Sequence, residues 1–240
     1  LASISNVLGR PLPVRELARI AHSVGAVYVD DGAQSVPHSE TDVRETDVDF
    51  LCFSGHKMLG PTGMGVLYGK EECLEGLRAL QYGGGTVGLV TYDSVDFAPV
   101  PDRFEAGTQN MSGAMGLAEA CRYIESIGFR NIRDHERKLK RMAVDGMLAK
   151  GNAVLYNADS DTGIVTFNIN GVFAQDAASY LGDRGVFVRS GTHCAKILPE
   201  FLKTQATVRA SMYIYNDEDD VKALVEASRH AEDFLDVFFN

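Results

Sequence analysis

The sequence predicts a mixed α/β chain, with a large α/β domain followed by a smaller α+β domain. Three observations predict it. Helical and strand patterns alternate through the first half, as in α/β layer folds. Short apolar strands there end in polar residues, where such folds collect their binding groups. The second half changes character to strand–helix–strand with flanking helices. At 240 residues, 45% hydrophobic and 23% charged, the chain has ample core for one large domain or two smaller ones. The boundary is expected near residue 124, giving 1–124 and 125–240.

Pro13–Val24 carries Val14, Leu17, Ala18, Ile20 and Ala21 at helical spacing, with Pro near its start and Gly25 as its stop. Ala26–Asp30, Asp49–Phe53 and Gly65–Tyr68 read as strands, and Glu71–Leu80 as a short helix. Gln81–Arg103 has few periodic features and reads as a long loop. Its Gly83-Gly84-Gly85 could face a phosphate, but no helical pattern follows, so a flexible connection is expected. Ser112–Ile127 and Asn131–Lys150 are helices. Ala153–Tyr156 and Gly163–Ile169 are strands, the latter alternating over Thr166–Ile169. Ala174–Leu181 is a helix, and Val186–Arg189 and Val208–Ser211 are strands. Asn216 is expected to cap a final helix whose first turn, Asp217–Asp220, suits the positive end of the helix dipole without a ligand.

A net charge of −10 argues against a nucleic-acid footprint, which needs a basic face. The basic stretch Arg130–Arg141 contains Asp134 and Glu136 and reads as a solvated helix face. None of the four cysteines (Cys52, Cys73, Cys121, Cys194) forms a C-x-x-C pair, so no metal centre is expected, and Cys52 and Cys121 read as small core hydrophobes. No transmembrane stretch and no signal peptide is recognisable, so neither a membrane nor export is expected and the cytoplasm is the default. Leu1–Gly9 reads as the end of a strand and the start of a loop. An N-terminal part is therefore expected to precede it or to reside on another chain.

The chemistry centres on Ser54-Gly55-His56-Lys57, which follows the apolar run Phe50–Phe53 and precedes the glycine-rich turn Gly60–Gly65. A lysine at the end of a buried strand is placed to form a Schiff base, because partial burial favours its neutral form. Alone, such a lysine is usually a solvated loop charge, and Asp31-Gly32-Ala33-Gln34 alone is usually an Asx turn. Together they suit pyridoxal 5'-phosphate (PLP), which needs a lysine for its aldehyde and an acid against its pyridine nitrogen. Asp30 competes for the acid role; Asp31 is preferred because it stands three residues before Gln34.

Four motifs in register resemble the class V aminotransferase-fold enzymes, specifically Suf-type cysteine desulfurases and the related selenocysteine lyases. They are Val29–Gln34, Ser54–Lys57, Arg103–Thr108 and Arg189–Ala195, in matching order along nearly the whole chain. The resemblance implies a fold-type I PLP-dependent transferase, normally a homodimer with active sites at the subunit interface. It makes Lys57 the PLP lysine, Asp31 the partner of the pyridine nitrogen and Gln34 the partner of the ring hydroxyl. Asn6 would lie near ring and substrate, and Ser54 and His56 would hold the phosphate. Gly107 and Thr108 would reach the phosphate across the dimer. Arg209 would clamp the substrate carboxylate, with Arg189 as a second active-site arginine. Cys194, in a polar loop, would be the nucleophile that takes sulfur from L-cysteine as a persulfide. His193 receives no firm role.

The short loop from Arg189 to Cys194 resembles the Suf-type group and implies a dedicated sulfur-acceptor protein. In the family an N-terminal segment supplies a helix N-terminus for the phosphate and a side chain stacked on the ring. Its absence would weaken PLP binding. Selenocysteine lyase activity, or a non-catalytic fragment that needs a separate N-terminal segment, are the alternatives.

Overall fold

The computed structural model describes residues 1–235. They divide into two units, one of Leu1–Ser3 with Leu12–Ser126, the other of Ile4–Pro11 with Ile127 onward.

In the first unit, helix α1 (Val14–Ser23) starts just after Pro13. Its apolar side, Val14, Leu17, Ala18 and Ala21, packs on Tyr28, Val48 and Leu51. Strands β1 (Val29–Asp31), β2 (Phe50–Ser54) and β3 (Gly65–Gly69) form a sheet in that order. β1 runs parallel to β2 with Asp31 opposite Cys52, and β3 runs antiparallel with Ser54 opposite Gly65. The short helix α2 (Val43–Thr46) lies in the β1–β2 crossover, capped by Asp42, which accepts from Arg44 N at 2.7 Å. β1 begins later than expected because Ala26 N still donates to Ala21 O (2.9 Å), closing the end of α1.

A charge cluster ties these elements together. His22 meets Asp49 at 2.9 Å, and Lys70 meets Asp47 at 2.7 Å and Asp49 at 3.0 Å. Burial pushes the Asp49 carboxyl up, but the Tyr28 N–H, His22 and Lys70 outweigh it and hold it down to about 2. A depressed carboxylate stabilises the fold above its unfolded pKa and loses that contribution as pH falls through its folded value. Asp49→Asn is therefore expected to cost about 2 kcal/mol at pH 7. The gap from wild type should close as pH falls from about 4 towards 2 in urea titrations. A gap that persists at the acid end would mean that packing, not ionisation, sets the loss.

Helix α3 (Glu71–Glu75) stops short of Leu80. Arg103 Nη2 donates to Leu74 O and Glu75 O, both at 2.9 Å, and so takes up the carbonyls that another turn would use. The expected loop 81–103 contains a hairpin of β4 (Val87–Val90) and β5 (Val95–Phe97). Every residue of these strands is exposed, so the half-buried alternation that marks a strand in sequence is missing. The triple glycine is an ordered turn at its root, where Thr86 Oγ1 donates to Gly83 O (2.8 Å) and Gly107 N to Gly84 O (2.9 Å). Helix α4 (Met111–Ile127) buries Leu117, Ala120 and Ile124. Cys52 and Cys121, expected in the core, are half-buried.

The second unit holds α5 (Phe129–Lys150), β6 (Ala153–Leu155), β7 (Ile164–Ile169), α6 (Ala174–Asp183), β8 (Arg189–Gly191), α7 (Leu198–Phe201), β9 (Thr207–Ser211) and α8 (Glu218–Arg229). Its antiparallel sheet has the order β6-β7-β9-β8. Leu139, Met147, Phe167, Tyr180, Leu181, Val208 and Leu224 fill the core beside it. β8 starts at Arg189 and not at Val186, because Val186 N donates to Leu181 O (2.9 Å) and finishes α6. Asp217, not Asn216, caps α8: it accepts from Asp219 N (2.8 Å) and Asp220 N (3.1 Å) in a capping box. Asn216 Oδ1 instead accepts from Tyr213 N.

The Arg130–Arg141 stretch is not wholly solvated, since Glu136 and Lys140 are buried. Lys140 Nζ donates to Ser160 Oγ (3.1 Å) and Ile164 O, and burial pushes its amine down to about 8. The strip Ile4–Pro11 is pinned to this unit through its carbonyls. Asn157 Nδ2 donates to Leu8 O (3.1 Å), Thr162 Oγ1 to Gly9 O (3.2 Å) and Thr166 Oγ1 to Val7 O. Gly9 sits at φ +60° with a would-be Cβ 2.0 Å from Thr162 Oγ1, so only glycine fits. Among the described residues no helix is long and apolar enough to cross a membrane. No group of three or more His, Cys, Asp or Glu among them is placed to hold a metal ion.

Candidate active site

The expected site residues fall into two groups, one in each unit. In the first unit the parallel strands β1 and β2 deliver Asp31 and Ser54 to the same sheet edge. Strand alternation sends Asp30 inward, where it is buried with Oδ1 unpartnered among the described residues and its carboxyl pushed up by burial, while Asp31 is exposed. Asp31 Oδ1 accepts from Ala33 N (3.0 Å) in an Asx turn, which leaves its second oxygen without a partner among the described residues. Gly32 N continues the ladder to Cys52 O (2.8 Å), and a Cβ there would come within 2.7 Å of Leu51 Cδ1.

Beyond Ser54, a single tight turn (Gly55–Met58) carries His56 and Lys57. Gly55 N donates to Met64 O (2.8 Å) and Gly60 N to Gly55 O (2.9 Å), so the glycine-rich turn folds back and fixes the turn's base. Lys57 is half-buried and His56 exposed. Among the described residues, the side chains of Gln34, Ser54, His56 and Lys57 make no hydrogen bond or ion pair with protein. Gly107 (φ +80°) and Thr108 are exposed, and Gly107 is held at the hairpin root, apart from this turn in sequence and hydrogen bonding.

In the second unit, β8 and β9 place Arg189 directly opposite Arg209. Like charges facing across strands are destabilising. Burial and Arg189 both push the Arg209 guanidinium down, and its Nε is buried without a partner among the described residues. Arg209 Nη1 donates to Asn6 O (2.6 Å), and Asn6 Nδ2 donates to His193 O (2.8 Å). Two facing guanidiniums with unused donors are built to receive an anion. After Gly191 the loop brings Cys194 back, exposed, with Arg189 Nη2 3.6 Å from its Sγ. The pairing of Asn6, Arg189, Cys194 and Arg209 is thus set by strand register and by the pinned strip. His193, to which the sequence gives no firm role, and Thr207, which no motif singles out, are brought forward by the loop geometry. A histidine beside a cysteine was the available signal, but spacing does not tell a buried imidazole from an exposed one.

The aminotransferase class-V family matches residues 1–224. A protein of Staphylococcus epidermidis called a probable cysteine desulfurase is 43% identical over 241 residues, covering 100% of this chain and 58% of its own length. One of the same name from Halalkalibacterium halodurans is 43% identical over 233 residues, covering 97% and 57%. The chain thus spans a little under three-fifths of the length of the curated relatives it matches. Among solved structures, a cysteine desulfurase of Escherichia coli superposes with a TM-score of 0.92 at 35% identity, over 97% of this chain and 58% of that one. One from Thermococcus onnurineus gives 0.90 at 39% identity, over 95% and 58%.

Proposed function

The chain belongs to the aminotransferase class-V family, and on that basis we propose that it acts as a PLP-dependent cysteine desulfurase, converting L-cysteine to L-alanine. The observation that carries this reading is the exposed Cys194 thiol beside Arg189, on a loop next to the Arg189–Arg209 pair. A reaction that holds an amino acid by its carboxylate and takes its side-chain sulfur needs an anion clamp and a free thiol together. Transamination or epimerisation would leave that thiol without a use.

The first unit's donor set fits PLP by its chemistry: among the described residues it offers an unpaired primary amine, a carboxylate with a free oxygen, an amide, and a hydroxyl and imidazole for phosphate. When bound, PLP supplies the electron sink that makes the substrate Cα acidic. Lys57 would hold its aldehyde carbon, Asp31 would keep a proton on its ring nitrogen and Gln34 would donate to its hydroxyl. Ser54 and His56 would bind its phosphate, joined by Gly107 and Thr108 of a second copy in a homodimer. Arg209, with Arg189 and Asn6, would orient the substrate carboxylate. Lys57 Nζ would also move the Cα proton. Cys194 Sγ forms the new S–S bond as the substrate C–S bond breaks; the carbon keeps that electron pair and gains a proton. The products are L-alanine and a Cys194 persulfide, whose outer sulfur passes to a thiol of an acceptor protein. The chain's four cysteines are free, which suits a reducing compartment, and we place the reaction in the cytoplasm.

The test is to load the chain with PLP, add L-cysteine and measure alanine together with the mass of the Cys194 peptide. Equal alanine and persulfide in a single turnover supports the reading; alanine without persulfide refutes it. Arg209→Lys keeps the charge but loses the planar fork, so KM for L-cysteine should rise about tenfold or more while PLP binding stays unchanged. An unaltered KM would remove Arg209 from the substrate site.

A further inference from the structure

We propose that His193 is a positioning residue, a neutral imidazole that latches the Cys194 loop onto β9 and so presents the thiol to Arg189. The proposal rests on the reading of Cys194 as the nucleophile.

Three observations converge on it. First, His193 and Cys194 are both left-handed, at φ +52° and +63°. Two consecutive non-glycine residues in that region are costly and persist only where their surroundings hold them. Second, the holding contact is the buried imidazole. His193 Nε2 lies 3.0 Å from both Thr207 O and Thr207 Oγ1. A backbone carbonyl can only accept, so Nε2 carries the hydrogen and the ring is the Nε2–H tautomer. Nδ1 is buried with no partner among the described residues, which suits a nitrogen without a proton. Burial, Arg209 and Arg189 all push the imidazole towards its neutral form. Third, the same residue's carbonyl accepts from Asn6 Nδ2 at 2.8 Å, so backbone and ring are both tied. Thr207 is opposite Gly191 in the β8–β9 register, which places the latch at the point where β8 ends and the loop begins. With the ring fixed, the next residue, Cys194, is exposed while its neighbour is buried.

The chemistry allows a selective test. Glutamine carries an N–H donor at about the reach of imidazole Nε2, whereas asparagine carries it at about the reach of Nδ1. His193→Gln should therefore keep the latch and His193→Asn should lose it. The first measurement is hydrogen exchange of the peptide spanning Arg189 to Ile197. The second is the rate of persulfide formation on Cys194 in a single turnover of the PLP-loaded protein. In His193→Asn, exchange should be about tenfold faster and persulfide formation about tenfold slower, with PLP absorbance and KM held, and His193→Gln should restore both. Equal exchange in Asn, Gln and wild-type proteins would overturn the latch. Faster exchange with unchanged persulfide formation would overturn the positioning role. If wild type formed no persulfide, the reading of Cys194 would fall and the positioning role with it. The exchange measurement would still decide whether the imidazole holds the loop.

Discussion

Cys194→Ser is expected to lower alanine production from L-cysteine on the order of a thousandfold or more, while PLP stays bound. The size of the effect follows from the step it removes. The serine hydroxyl has nearly the same shape but is a far weaker nucleophile at neutral pH, and it cannot store the sulfur as a persulfide. The loop should survive the change, because its fixed points are the His193–Thr207 contact and the Asn6–His193 contact, neither of which uses Sγ. Unchanged visible absorbance with PLP, beside lost turnover, separates a missing nucleophile from a missing cofactor. Alanine release at the wild-type rate would show that sulfur leaves by another route and that Cys194 is a bystander.

Lys57→Ala has the second large effect. The protein should lose covalent attachment of PLP altogether, with no label on the 54–59 peptide after borohydride reduction. Any remaining turnover should fall on the order of a thousandfold, because the lysine is also the proposed proton carrier. The turn that bears it is held by backbone bonds from Gly55 and Gly60, so the substitution should leave the thermal midpoint close to wild type. A reducible bond on a different lysine in wild type would sink the assignment of Lys57 before any kinetics were measured.

Local features of the sequence carried much of this architecture. α1, β2, β3 and the long helices follow from periodicity and from Pro13 and Gly25, because their partners lie close by or on an obvious apolar face. The glycine-rich turn Gly60–Gly65 that follows Lys57 was equally legible, and a Cβ on Gly60 would come within 2.9 Å of Gly55 O. Strand starts after helices were not. Ala26 and Val186 read as strand but are spent closing α1 and α6. The β4–β5 hairpin was hidden because all its residues are exposed. Asn216 and Asp217 are both good caps, and only the placement of Tyr213 N, which Asn216 Oδ1 accepts, decides between them. The buried Lys140 and the His193–Thr207 contact join residues 20 and 14 positions apart on different elements, a separation that no helical or strand period records.

The strip Ile4–Pro11 also fixes an order of events. Asn6 is synthesised 203 residues before Arg209, and Leu8 149 residues before Asn157. A chain growing on the ribosome therefore carries this strip without any of these partners until Asn157 has emerged, and without Arg209 until nearly all of β9 has. Closing so long a loop is entropically slow, and its contacts reward the closure only at the end. A shortened chain beginning at Ile127 would keep the four-stranded sheet. It would leave Asn157, Thr162, Thr166 and Arg209 with donors facing water where peptide carbonyls belong. Asn6 thus takes its place beside His193 and Arg209 only as a late event in folding.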